Sequence, residues 1–88
     1  MVCNYPIDVI SLCSVDGGIQ PLRFRLKDDS QQLVRVDILE VVDVKVIPIV
    51  GIEAQIFLCR CKAGETCHMF ELKYTIRTHC WCLYRIVC

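Results

Sequence analysis

The chain has 88 residues, 55% of them hydrophobic and eight of them cysteine, and its ten basic residues balance ten acidic ones. That length allows a single domain over residues 1–88 and no second core, and a mean hydropathy of +0.46 excludes a disordered segment. Zero net charge argues against a general nucleic-acid binder, which neutralises phosphates with an excess of Lys and Arg.

Between its turns the sequence alternates polar and apolar residues with a period of two, as in Leu22-Arg23-Phe24-Arg25-Leu26 and Phe70-Glu71-Leu72-Lys73-Tyr74. Successive strand side chains point to opposite faces, so each run builds one apolar and one wet face. No convincing window repeats its apolar residues at helical spacing, so helix has little support. The first strand is expected at residues 8–13, closed by Val15-Asp16-Gly17-Gly18, a turn signal because glycine tolerates positive φ. Pro21 opens a second strand at 22–27, with Leu22, Phe24 and Leu26 inward and Arg23, Arg25 and Lys27 outward, and Asp28-Asp29-Ser30-Gln31 turns the chain again.

A β-branched segment at 33–47 carries Val34, Val36 and Ile38 on one face, with Val42, Val44 and Val46 in the same parity. It is much longer than a typical strand, so a bend or bulge is expected near Glu40 and Val41. Pro48 lacks an amide donor and belongs at an edge or a break. Residues 54–61 form a hairpin through Lys62-Ala63-Gly64-Glu65-Thr66 with 70–77, and a turn at Thr78 to Cys80 returns the chain through 81–87. About six strands joined by short loops pair as antiparallel neighbours, and such a meander curls to cover its apolar face. The fold class is therefore all-β, a small antiparallel barrel or roll.

The cysteines stand at positions 3, 13, 59, 61, 67, 80, 82 and 88. The first fourteen residues carry no basic and apolar export signal, so a reducing, cytoplasmic setting is expected and the thiols should stay reduced. Pairing apolar residues across the hairpin sets Phe57 opposite Leu72, Cys59 opposite Phe70 and Cys61 opposite His68. Carried onward, the register sets Ile76, Tyr74, Leu72 and Phe70 opposite Cys82, Tyr84, Ile86 and Cys88. Cys59 and Cys88 then stand two strands apart, about 9.6 Å, beyond the roughly 7 Å that a disulfide spans. Cys59-x-Cys61, Cys67-His68 and His79-Cys80-x-Cys82 hold the atoms of a zinc site, yet structural zinc draws paired ligands from C-x₂₋₄-C turns. Packed thiols are the better reading of this set, disulfides across a barrel stay open as an alternative beside a metal, and no metal or cofactor is assigned.

Catalysis has less support. Adjacent residues on a strand point to opposite faces, so there Cys67-His68 and His79-Cys80 cannot act as nucleophile and base, a turn alone leaving that geometry open, and no Ser-His-Asp set or phosphate loop is present. The chain is not read as an enzyme. Arg23, Arg25 and Lys27 on one face, with Trp81 as an aromatic, are the residues by which a small barrel would hold a single nucleic-acid strand. Solvated outer residues of a strand give the same pattern. The most apolar run, residues 41–52, is broken by Asp43, Lys45, Pro48 and Gly51 and falls short of the roughly 20 residues of a membrane helix.

The runs Asp8-Val9-Ile10-Ser11, Pro21-Leu22-Arg23-Phe24-Arg25, Val36-Asp37-Ile38-Leu39, Phe57-Leu58-Cys59, Phe70-Glu71-Leu72-Lys73-Tyr74 and Trp81-x-Leu83-Tyr84-Arg85-Ile86 together resemble a family of uncharacterised small all-β proteins from Gram-positive bacteria. That family keeps a Thr-Cys pair before its tryptophan, where this chain has Thr78-His79, and charged residues with an Ala-Gly pair where this chain runs from Val41 to Gly51. The resemblance implies an all-β fold and no established activity. More apolar surface than so small a sheet can hide points to a non-enzymatic interaction module with a protein partner or a second copy of itself. A nucleic-acid-binding barrel is the second reading and a zinc-stabilised fold the third.

Overall fold

The structure, a computed structural model, describes residues 2–88. Seven strands, β1 (Val2–Ile7), β2 (Val9–Cys13), β3 (Ile19–Lys27), β4 (Leu33–Ile47), β5 (Ala54–Ala63), β6 (Thr66–Thr75) and β7 (Cys80–Ile86), form one antiparallel sheet. Its order is β1-β7-β6-β5-β4-β3-β2. From β2 to β7 this is a meander in chain order. The strand beyond the expected six is β1, which lacks clean alternation and carries Pro6 and a left-handed Asn4 (φ 48°) at an irregularity in its pairing with β7. Only Asp8 separates β1 from β2, yet they lie on opposite edges of the sheet. The sheet must therefore curl until both edges reach Asp8, which makes it a curled half-barrel.

The concave face holds the core: Phe24, Val36, Phe57, Cys59, Cys61, Phe70, Leu72, Trp81 and Leu83. Phe24 meets Phe70 edge-on with ring centroids 5.8 Å apart, and Trp81 lies 5.4 Å from Phe57 and 4.9 Å from Tyr74. The hairpin of β5 and β6 has the expected register, Phe57 opposite Leu72, Cys59 opposite Phe70 and Cys61 opposite His68.

Departures from the expected faces all trace to slipped pairing. Ile10 opposes Arg23 while Ser11 opposes Pro21, so Leu22 is an extra residue on β3. Pro21 thereby turns inward and Leu22 is exposed. On β4 the same count makes Leu39 and Val42 the extra residues, the bend expected near Glu40 resolved into two bulges. At the end of β6 the chain leaves the strand at Thr75, two residues earlier than expected, and turns through His79 (φ 55°). Tyr74 then opposes Trp81 and Leu72 opposes Leu83. That offset from the expected register is odd, so the faces exchange as far as the bulge at Tyr84: Trp81 and Leu83 point in and Cys82 points out, while Ile86 keeps its expected face opposite Phe70.

The convex face of β5 is covered at its start, where Ala54 and Ile56 are buried, and opens at Arg60 and Lys62. Ile56 lies between Lys45 and Lys73 in the register, and the apolar stems of long side chains shield such a position. Beside it Glu71, only 4% exposed, pairs with Arg85 at 2.8 Å.

Candidate functional site

Arg23, Arg25 and Lys27 do share the convex face of β3, alternating with the inward Phe24 and Leu26. Pairing with β4 adds Arg35, opposite Arg25. The four cations form a ridge beside the kink at Asp8, where two shallow grooves of about 490 and 420 Å³ run past Tyr5, Ile7 and Ile10. The ridge is half neutralised. Asp8 accepts from Arg25 at 3.1 Å and Asp37 from Arg35 at 2.9 Å, both in exposed pairs. Arg23 and Lys27 have no such carboxylate partner among the described residues.

Trp81 does not join the ridge. It is 9% exposed, wedged between Phe57 and Tyr74, and has no open ring face for a base. The aromatic beside the ridge is instead Tyr5, half exposed, on the strand that sequence alternation missed. The expected nucleic-acid set therefore separates into a surface cluster of three and a core residue.

The sulfur and imidazole groups are dispersed as well. Cys59 and Cys61 are buried thiols that donate to backbone oxygens of Phe57 and Cys59 at 3.5 and 3.7 Å. His68 stacks on Phe70 at 5.4 Å, and His79 Nδ1 lies 2.9 Å from the Tyr74 hydroxyl. Among the described residues no three of His, Cys, Asp or Glu converge as metal ligands. Burial pushes the Cys59 thiol up to about 12, with the neighbouring Cys61 adding to it. Burial likewise raises Cys61 to about 11, against the lowering effect of a backbone hydrogen bond at Phe70. A thiol so raised stays protonated at neutral pH and is a poor nucleophile.

The turns show how local chemistry fixes the rims. Asp28 accepts from the Ser30 hydroxyl at 2.7 Å, the Ser30 amide at 2.9 Å and the Gln32 amide at 3.0 Å. These bonds, the Ser30 hydroxyl first, hold its carboxyl below the usual range. Asp16 is lowered in the same way, by the Ser14 hydroxyl and then by the Gly18 amide. Both acidic turns are thus occupied by their own backbone.

The second surface is the far half of β4. β3 pairs with β4 only at residues 33–37, and beyond Arg23 it keeps its pairing with β2 on its other edge alone. Residues 38–47 remain bonded to β5 on one side, and no strand lies on the other among the described residues. Val44 lies opposite Phe57 on the concave face but is 44% exposed, and Val46 is 61% exposed. Val42, Ile49, Val50 and Ile52 extend the apolar surface. An edge this long and apolar usually carries an inward charge or an early proline, and here the proline comes only at position 48. The sequence signal was present in the length of this segment and in its run of valines, but nothing local says which half goes unpaired.

No protein-family model matches the chain, and comparison with curated proteins and with solved structures returned no match.

Proposed function

We propose that this domain is a non-enzymatic interaction module that docks a protein strand against the open edge of β4. The observation that carries the reading is the unpaired edge over residues 38–47 together with half-exposed Val42, Val44 and Val46. Unmet backbone donors and acceptors in a row select an extended segment, and the flanking apolar side chains add burial. The nucleic-acid reading has less behind it. Two of the four ridge cations already hold carboxylates, and Trp81 lies in the core. Eight cysteines, with Cys59 and Cys61 packed as thiols, suit a reducing compartment such as the cytoplasm.

A photo-crosslinking side chain at Val46 tests the docking edge, with the fully exposed Val15 in the loop after β2 as the control position. In cells that express the chain, position 46 should yield discrete adducts, identifiable by mass, that position 15 does not. Equal labelling from both positions, or none from position 46, would reject the edge as a docking site.

A further inference from the structure

Resting on that reading, we infer that the strand docked on β4 is β4 of a second copy of this chain, paired antiparallel about a two-fold axis at Val44. The inference comes from the pattern of charge along the edge. Asp43 and Lys45 alternate with Val42, Val44 and Val46, so the convex face carries one acid and one base flanking the valine at the centre. Residues directly opposite each other in an antiparallel pair lie on the same face of the sheet. A symmetric register centred on Val44 sets Asp43 opposite Lys45 of the copy, and Lys45 opposite its Asp43. The same register sets Val44 against itself, within the regular stretch of β4 that begins at Asp43.

The neighbouring registers that also keep valine face to valine face fail on charge. Centring on Asp43 sets the two Asp43 carboxylates against each other, and centring on Lys45 does the same to the two lysines. Like charges directly opposite destabilise a strand pair, so the edge selects one register and that register is self-complementary.

Charge exchange tests this directly. Sedimentation of the unaltered chain should show a concentration-dependent dimer. Asp43→Lys alone faces two lysines with two lysines, and Lys45→Glu alone faces acid with acid. Each should weaken dimerisation by at least roughly tenfold. Mixing the two single variants restores both opposite-charge contacts in the heterodimer, and the double variant D43K/K45E restores them in the homodimer. Both should recover association near that of the unaltered chain. Asp43 and Lys45 are exposed, and circular dichroism of each variant verifies the sheet.

A monomer at the highest concentrations reached, single variants that associate like the parent, or a mixture that does not recover would each overturn the self-pairing. Crosslinked adducts from position 46 at the mass of a different protein would also overturn it while leaving the docking edge intact. No adduct from position 46 at all would remove both.

Discussion

Raising the pH above 9 is expected to destabilise the fold steeply, by roughly 2 kcal/mol at pH 11 for each of the two buried thiols. The direction follows from where the protons sit. In the unfolded chain Cys59 and Cys61 titrate near the ordinary 9.0, whereas burial holds them at about 12 and about 11 in the fold. Between those values the unfolded state has released protons that the native state still binds, so stability falls as pH rises. Below pH 9 both states are protonated and the contribution is fully present. Urea unfolding in the presence of reductant, repeated at pH 8, 9, 10 and 11, should show the decline. Replacing both cysteines by alanine lowers stability at every pH through lost packing but should flatten the slope above pH 9. Parallel slopes for parent and double variant would mean that the two thiols reach water in the native state. The same burial predicts that a thiol reagent labels Cys59 and Cys61 only on unfolding, whereas exposed Cys13, Cys67 and Cys80 react at once.

Much of this architecture was legible in the sequence because it depends on neighbours in the chain. The β5–β6 hairpin has a short turn at Gly64, whose φ of 60° suits glycine, and no bulge, so the alternating pattern fixed its register correctly. The convex placement of Arg23, Arg25 and Lys27 was legible for the same reason. What the pattern missed is set by pairing between distant segments. β1 finds a partner only because the sheet curls round to bring β7 beside it. Leu22, Leu39, Val42 and Tyr84 are residues without an opposite number, and an apolar side chain at a bulge looks no different in sequence from one in a regular ladder. The register expected from the alternation sets Cys82 rather than Trp81 on the concave face, an odd error that begins in the turn at residues 76–79. The excess of apolar residues signalled an uncovered surface, but its location depends on β3 leaving β4 at Arg23, a tertiary event.

Leu72→Ala should be among the most damaging single substitutions in the chain, costing about 2–5 kcal/mol. Leu72 is fully buried and stands at the middle of the concave face, between Phe57 on β5 and Leu83 on β7. Phe57 in turn supports Trp81, so truncation at Leu72 leaves a hole bordered by large side chains that are held from several strands. Such a site collapses poorly, because each lining residue is fixed by its own ladder and cannot move in alone. A domain of this size has a total stability of only about 5–15 kcal/mol, so the loss is a large fraction of the whole. Thermal unfolding should shift by roughly 4–8 °C for each kcal/mol lost. Leu12→Ala is the matched control, since Leu12 is exposed on β2 and its loss should stay within about 0.5 kcal/mol. If the two variants unfold together, Leu72 is not at the centre of the core, and the concave face must be assembled around another row of the sheet. A wide gap between them would mean that the two-residue rhythm of β6 buries the side that carries Phe70, Leu72 and Tyr74.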